Sequence, residues 1–143
     1  MDITPKKRKL AGNALIEFAL VLPILMLVVA GIVDFSLLFY DKAVITNASR
    51  EGARYGVVIR SPTYASTVAI QTYTQSYCTN HLISFASPAP TATVTVTNSS
   101  TPPVSGSTLT VTVAYTYTDI LLHHFITHSK LFNLSAATTM AYE

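Results

Sequence analysis

The strongest constraint on the fold of this chain is an uncharged apolar run, Phe18–Val33, that follows a basic cluster at Lys6–Lys9. With Ala14–Ile16 ahead of the run and Phe35–Tyr40 beyond Asp34, the segment is long enough to cross a bilayer, which takes about 20 helical residues. Flanking basic residues are retained on the cytoplasmic side. We therefore expect a single membrane pass with the N-terminus cytoplasmic and the C-terminus outside.

Charge is scarce beyond this segment. The chain has 9 Lys and Arg and 7 Asp and Glu, and of these only Asp119, Lys130 and Glu143 follow Ser61. Charge-driven disorder is excluded because it requires a high net charge. Nucleic-acid binding is not expected, because basic residues are few and four of the nine lie in one cluster ahead of the apolar run. The single Cys78 excludes an internal disulfide.

The N-terminal segment differs from an ordinary secretory signal. No small-residue cleavage pattern follows the apolar run, whereas Gly12 precedes it and Glu17 lies at its start. Cleavage after Gly12 would give Asn13 a free amine one helical turn from Glu17. That amine would neutralise a carboxylate that is otherwise costly near hydrocarbon. The alternative is an uncleaved signal anchor with Glu17 at the cytoplasmic interface.

The apolar run predicts one long helix from about Ala14 to Val58, in which Pro23 favours a kink or a local break. Three- and four-residue spacing in its outer half predicts a packed face. The residues on that face are Val44, Ala48, Gly52, Tyr55 and Ile59. Ala48, Gly52 and Gly56 form a row of small residues that allows close approach of another backbone. Glu51 and Arg54 are spaced for an ion pair, either solvated or in contact with another subunit or the outer domain.

The rest of the chain predicts a second helix and three strands. Ser61 as N-cap and Pro62 predict a helix to about Tyr77. Its expected packed face is Ala65, Val68, Ala69, Thr72 and Tyr73. Cys78–Pro90 is expected to be a connection. Strict alternation predicts strands at 93–97, 109–117 and 134–142, with a loop at Asn98–Ser107 and a short helix at Ile120–Phe125 capped by Asp119.

Catalytic motifs are absent from the sequence. His124 and His128 have metal-ligand spacing beside His123, but no HExxH is present, so we expect no metal site. No motif surrounds Cys78, which we expect to be a buried or free thiol. No phosphate-binding loop or nucleophile elbow is present either. We therefore expect no enzymatic activity and no cofactor.

Three pieces of the sequence resemble the TadE-like family of tight-adherence pilus proteins. They are the basic leader with Gly12 and Glu17, the block EFALVLPILML, and the motif Arg50-Glu51-Gly52-Ala53-Arg54-Tyr55. The resemblance implies a minor pilin or pseudopilin with a type IV pilin-like N-terminus in the bacterial inner membrane. It implies cleavage between Gly12 and Asn13 and identifies Glu17 with the family's mature glutamate. The implied partners are a prepilin peptidase, a major Flp-type pilin, other minor pilins and the inner-membrane assembly platform.

The expected fold class is α+β, with a long N-terminal transmembrane and assembly helix packed on a small antiparallel sheet and a second short helix. The expected divisions are a leader (1–12), an assembly helix (13–60) and an extracytoplasmic domain (61–143), with Phe18, Pro23 and Val33 in the membrane-spanning part. After processing, the protein would lie in the periplasm or in a surface pilus. The alternative function is a signal-anchored adhesin, or a metal-binding or enzymatic domain, outside any pilus.

Overall fold

The computed structural model describes residues 10–58, 64–84, 91–118 and 131–142. Its elements follow in the order α1 (Leu10–Val57), α2 (Thr67–His81), β1 (Thr93–Asn98), β2 (Thr108–Thr118) and β3 (Leu131–Ala141). The strands form one antiparallel sheet in the order β1-β2-β3. This architecture confirms the α+β fold class, the long N-terminal helix and the small antiparallel sheet.

Helix α1 runs for 48 residues and contains Pro23 without an interruption of the helix. A helix of this length spans roughly 70 Å at 1.5 Å per residue. The prediction of one continuous helix is confirmed, and the alternative of a local break at Pro23 is wrong. A proline costs one backbone hydrogen bond in a helix, and the apolar residues on both sides continue the helix through it.

Helix α2 begins later than the sequence predicts. Tyr64 and Ala65 precede the helix, and Ser66 is its N-cap, with the Ser66 Oγ accepting a hydrogen bond from the Ala69 backbone N–H at 3.2 Å. A serine oxygen satisfies one of the unpaired N–H groups of a helix N-terminus. The predicted start at Ser61–Pro62 is therefore wrong, and those two residues lie outside the described part of the chain. The helix also extends to His81, so Cys78 is helical rather than part of a connection.

The packed face of α2 differs from the predicted one. The buried residues are Ile70, Thr74 and Cys78, whereas Val68 is 67% exposed and Thr72 is exposed. The predicted face of Ala65, Val68, Ala69, Thr72 and Tyr73 is thus wrong. The reason is that α2 packs on two glycines of α1, as described below, and these leave room for Ile70 and Thr74.

Alternation of apolar and hydroxyl side chains sets the two faces of the sheet. In β2 the inward-facing residues are buried, and they are Leu109, Val111, Val113, Tyr115 and Tyr117. Burying such side chains contributes about 1.5–3 kcal/mol each. The inward residues of β1 and β3 are half-buried and their neighbours are exposed, except that the inward Phe132 of β3 is also exposed. All three predicted strands and the loop between β1 and β2 are confirmed. Strand β3 begins at Leu131, three residues earlier than predicted, and ends at Ala141.

The outer half of α1 lies along the inner face of the sheet against β2 and β3, and α2 lies beside it against β1. Tyr117 near one end of β2 contacts α1 at Asp34, and Leu109 at the other end lies beside Gly56. Strand β2 therefore runs antiparallel to α1, and its neighbours β1 and β3 run in the same direction as α1. The short helix predicted at Ile120–Phe125, with its cap Asp119, lies outside the described residues.

Candidate functional site

The first part of α1 is an apolar surface with no covering from the rest of the described chain. Every side chain from Ala14 to Val29 is exposed, with Leu15 at 70% and Leu20 at 71%. Phe18 and Val33 are exposed as well, at 60% and 40%. By length and composition, α1 is long and apolar enough to cross a membrane. Because water excludes such a surface, this part of α1 requires an apolar environment.

The residues of the predicted processing site lie at the start of this helix. Gly12 and Asn13 are within α1, which begins at Leu10. Glu17 is exposed on the apolar surface one turn further along. Among the described residues no cation pairs with the Glu17 carboxylate. The structure thus places Gly12, Asn13 and Glu17 together along one continuous helix, and cleavage after Gly12 stays a prediction.

The second part of α1 is buried by its own outer domain through the predicted row of small residues. Ala48 is fully buried, and a Cβ at Gly52 would overlap the Thr74 hydroxyl of α2. A Cβ at Gly56 would lie 2.7 Å from the Ile70 Cδ1 atom and even closer to Leu109. Glycine at these two positions therefore permits the close approach of α2 and β2 to α1. The predicted close contact is made within the chain.

The motif Arg50–Tyr55 divides between this buried face and the surface. Gly52 and Ala53 are buried, whereas Arg50 and Arg54 are exposed and Glu51 is half-buried. The ring of Tyr55 stacks on that of Tyr73 with centroids 4.4 Å apart. Glu51 and Arg54 form no ion pair with each other in the described structure. The small residues of the motif join α1 to the domain, and its two arginines face outward.

Two aspartates on α1 form a polar joint with the domain at the end of the apolar segment. Asp34 is 3% exposed, and its backbone carbonyl accepts a hydrogen bond from the Tyr117 hydroxyl at 3.3 Å. Asp41, two turns later, is fully buried, and its Oδ1 accepts a hydrogen bond from the Ile83 N–H at 3.2 Å. The Asp41 Oδ2 has no hydrogen-bond partner among the described residues.

Burial governs the protonation of this joint beyond the membrane-spanning segment. Desolvation raises the pKa of the Asp41 carboxyl, and the hydrogen bond from Ile83 opposes that rise. Desolvation also raises the pKa of the Tyr115 hydroxyl, and the nearby Asp41 charge adds to this, while a hydrogen bond with Ser84 lowers it. The folded joint therefore favours the neutral forms of both groups.

Two further contacts join α1 to β3. The Lys42 ammonium donates a hydrogen bond to the Ser135 carbonyl. The hydroxyls of Ser49 and Thr138 are hydrogen-bonded at 2.8 Å. Together with the glycine contacts, these bonds fix the outer half of α1 to both helix α2 and the sheet.

Cys78 is a free, buried thiol, as expected from the sequence. It is 1% exposed, and desolvation raises its pKa to about 11. A thiol with so high a pKa is almost entirely protonated at neutral pH, so it is a poor nucleophile. Among the described residues no three His, Cys, Asp or Glu side chains form a group suited to a metal ion. His123, His124 and His128 lie outside those residues.

The polar joint was not predicted from the sequence, although a signal for it was present. Asp34, Asp41 and Ala48 are spaced by seven residues, which places them on one face of a helix. Extending the packed face back from Ala48 by this spacing would have found both aspartates. This spacing is hidden by the apolar segment before Asp34, whose composition is typical of a membrane span.

Comparison with known proteins supports the N-terminal resemblance. A family model described as TadE-like protein matches residues 12–54. No curated protein and no solved structure matches the chain. The matched residues include the glycine before the apolar run, the exposed apolar surface and most of the motif at Arg50–Tyr55. Residues 12–54 are therefore similar to TadE-like proteins, and together with the apolar N-terminal helix this similarity points to association with a Tad pilus.

Proposed function

We propose that this protein is a minor pilin or pseudopilin that takes part in assembling a tight-adherence pilus. In this proposal it is made as a single-pass precursor of the bacterial inner membrane, with the basic leader cytoplasmic and the sheet domain outside. A prepilin peptidase cleaves it after Gly12. The mature protein then leaves the bilayer for a bundle of apolar helices.

The observation that carries the proposal is the division of α1 into two surfaces. Side chains from Ala14 to Val29 are exposed and, apart from Glu17, apolar, whereas Asp41, Ile45, Ala48 and Ala53 are fully buried by the domain. The domain thus holds the outer half of the helix and leaves the inner half available on all sides. Lipid and a bundle of apolar helices both shield such an apolar surface from water. The surface therefore suits a protein that moves from the bilayer into a helical bundle.

Glu17 supplies the proposed check on alignment in the bundle. Its carboxylate is exposed on the apolar surface and has no described cationic partner. Cleavage would create an α-amine at Asn13, four residues away. Pairing of Glu17 with that amine, in its own or in a neighbouring subunit, would leave no unpaired charge. A misaligned neighbour would leave the carboxylate unpaired in an apolar environment, which disfavours wrong registers.

The proposed partners are the prepilin peptidase, the major Flp-type pilin, other minor pilins and the inner-membrane assembly platform. The role of the chain is structural, and we propose that it catalyses no reaction. The buried Cys78 thiol and the hydroxyl-rich outer face of the sheet support this assignment. They offer no nucleophile activated by a neighbouring base among the described residues.

Intact-mass analysis of the protein from cells with an active prepilin peptidase tests the processing step. The expected N-terminal residue is Asn13. The variant Gly12→Ala is expected to accumulate in the membrane as the uncleaved precursor. Gly31→Ala is the matched control, because Gly31 has open space around it and lies within the same helix.

The outcomes separate processing from folding. Gly31→Ala should be processed normally, so an effect of Gly12→Ala alone identifies the cleavage site. A mature protein that begins beyond Val33, or a wild-type protein that is never cleaved, would reject the proposed processing. An uncleaved protein found only in the inner membrane would favour the signal-anchored alternative.

A further inference from the structure

The exposed apolar surface of α1 continues past Asp34, the first charged residue after the apolar run. Asp34 is buried, so its carboxylate does not face the surroundings of the helix. Phe35, Phe39 and Tyr40 are exposed on α1, with Phe39 at 67%. Ser36 is exposed between them, and its hydroxyl donates a hydrogen bond to the backbone carbonyl one turn earlier at 2.7 Å. The charge of Asp34 therefore does not mark the end of the surface that needs an apolar environment.

Two apolar side chains of the outer domain are exposed at the same level. The Tyr117 hydroxyl bonds to the Asp34 carbonyl, and Phe132 pairs with Tyr117 across the sheet, so Phe132 lies near Asp34 along the axis of α1. The Ile83 N–H bonds to Asp41, which places Ile83 at the level of that residue. Phe132 is 38% exposed and Ile83 is 36% exposed. With the three aromatic residues of α1 they form what we call the apolar collar, which consists of Phe35, Phe39, Tyr40, Ile83 and Phe132.

The collar lies where the length of the span predicts the membrane surface. As a helix, Ala14–Val33 is about 30 Å long, which matches the hydrocarbon thickness of a bilayer. Phe35 and Tyr40 follow Val33 by roughly 3 and 10 Å along the axis. Because Cβ atoms in a helix tilt toward its N-terminus, the two rings lie closer to the span than these distances. The headgroup layer on each side of a bilayer is about 5–8 Å thick, so the rings reach into it.

The continuity of α1 fixes the height of the domain. The helix runs without interruption over Leu10–Val57, and Asp34 within it already contacts β2. No linker separates the apolar segment from the domain in this helix, so the domain cannot stand clear of a bilayer that α1 spans. Tyrosine favours the headgroup layer, where its ring is shielded and its hydroxyl is hydrated. Phenylalanine rings at this height are likewise better placed in lipid than in water.

The contact made by the collar is apolar rather than ionic. Lys42 beside it is half-buried and bonded to the Ser135 carbonyl, and the next exposed charge along α1 is Arg50. We propose that the apolar collar seats the membrane-proximal end of the outer domain in the headgroup layer of the membrane that α1 spans. Lipid of that membrane is the occupant, because the collar is continuous with the exposed apolar surface of α1. The inference rests on the proposed single-pass insertion of α1 and is independent of cleavage after Gly12.

Tryptophan fluorescence of the full chain in phosphatidylcholine vesicles tests this contact, because the sequence contains no tryptophan of its own. Phe39→Trp places a probe on the α1 side of the collar, and Phe132→Trp places one on the domain. Val68→Trp is the matched control, because Val68 is as exposed as Phe39 but lies near the start of α2, at the end remote from the collar. Leu20→Trp reports insertion of the span.

Two quenchers distinguish lipid from water and from protein. Brominated acyl chains quench tryptophan in the hydrocarbon or at its edge, and external iodide quenches tryptophan in water. We expect brominated lipid to quench most of the emission from positions 20, 39 and 132 and little of that from position 68. External iodide should quench position 68 and leave the other three positions largely unaffected.

The pattern of quenching decides between the possible covers of the collar. A probe covered by another part of this chain or by a second copy would resist both quenchers, and a probe in water would respond to iodide alone. Either result at position 132 would overturn the proposal. Quenching by lipid at position 20 but not at 39 and 132 would reject the collar and leave the membrane span standing. No quenching by lipid at position 20 would reject the span and the collar together.

A paired substitution tests whether the exposed rings set the height of the domain. Phe35→Ser with Phe39→Ser shortens the apolar surface at its outer end and leaves the buried face of α1 intact. The remaining apolar surface then centres in the bilayer with the domain further out, so brominated lipid should quench the tryptophan at position 132 less. Val58→Ser is the control, because Val58 is exposed just past the far end of α1, and it should leave the quenching unchanged. Equal quenching at position 132 in both variants would overturn the proposal.

Discussion

Gly52 of α1 lies so close to Thr74 of α2 that a single methyl group at position 52 would overlap the threonine hydroxyl. The Thr74 side chain is fixed, because its hydroxyl donates a hydrogen bond to the Ile70 carbonyl one turn earlier at 2.7 Å. Both residues are buried. The contact is therefore a rigid point of close approach between α1 and α2.

Substitution of Gly52 by alanine should destabilise the domain. The added methyl overlaps the fixed Thr74 side chain, and overpacking of a buried contact costs about 1–3 kcal/mol. We expect a lower temperature of thermal unfolding for the full chain in detergent, measured by circular dichroism. The double variant Gly52→Ala, Thr74→Ala should recover part of the loss, because it removes the overlapping hydroxyl.

Gly31→Ala is the control for this series. Gly31 lies in the same helix with nothing within 4 Å of the added methyl group, and alanine favours a helix over glycine by about 1 kcal/mol. This variant should be as stable as the wild type or more so. If Gly52→Ala behaved like Gly31→Ala, the close contact with Thr74 would not exist in solution.

The buried carboxyl of Asp41 should make stability depend on pH. Because its pKa is raised in the folded state, the folded chain holds the proton more tightly than the unfolded chain does. Protonated Asp41 therefore stabilises the folded state fully at a pH below its pKa in the unfolded chain, about 3.9. This stabilisation is lost as the pH rises through the pKa of Asp41 in the folded chain. Asp41→Asn keeps a neutral side chain at every pH. The unfolding temperature of Asp41→Asn minus that of the wild type should accordingly be larger at pH 7 than at pH 4.

Glu51→Gln provides the comparison for Asp41→Asn. It removes the same charge from the same helix at a half-buried position, where Glu51 forms no ion pair with Arg54 in the described structure. A pH profile of Asp41→Asn that matched that of Glu51→Gln would show that burial of Asp41 has no special effect on stability.

The Cys78 thiol should resist alkylation in the folded protein. It is buried and its pKa is about 11, so both access and thiolate formation are restricted. Treatment with a maleimide at pH 7.5 should modify less than about a tenth of the native chains in an hour and all of them in denaturant. Ser76→Cys in a Cys78→Ser background places an exposed thiol two residues away and should react fully without denaturant. Rapid labelling of native Cys78 would contradict its burial.

Loss of the Glu17 carboxylate should separate processing from assembly. The variant Glu17→Ala retains Gly12 and Asn13, so we expect it to be cleaved normally. We expect the amount of assembled protein to decrease at least tenfold, because the proposed ion pair between Glu17 and the Asn13 amine contributes more than about 1.4 kcal/mol. Quantitative blotting of sheared surface fractions against membranes measures this ratio. Glu17→Asp retains the charge on a shorter side chain and should assemble better than alanine. Wild-type assembly of Glu17→Ala would remove the pairing argument.

The strands could be predicted in detail because each carries its own alternating pattern. In β2, Leu109, Val111 and Val113 alternate with threonines, and the same alternation sets which side chains are buried. The long helix was equally predictable from its apolar residues. In these elements the residue pattern of the segment itself predicts the same buried face that the fold gives it.

Helix α2 shows where such prediction fails. Ser61–Pro62 and Ser66–Thr67 both offer capping chemistry, and the sequence alone does not distinguish them. The face of α2 is selected by the glycines of α1, because Thr74 and Ile70 fit against Gly52 and Gly56. That choice depends on a neighbour remote in sequence, and the weakly amphipathic composition of α2 does not reveal it. The burial of Asp41 depends in the same way on Ile83 and Tyr115, which are more than forty residues away.

The arrangement of α1 alongside the sheet has a mechanical consequence. Contacts between them extend from Asp34, against Tyr117, to Gly56, against Leu109, a distance of roughly 33 Å along the helix axis. The strands lie along this axis, so a pull on the domain directed outward loads all of these contacts at once in shear. They would not open one after another as in a zipper. An extracting or tensile force would thus reach the apolar N-terminal part of α1 with the helix and domain moving as a single rod.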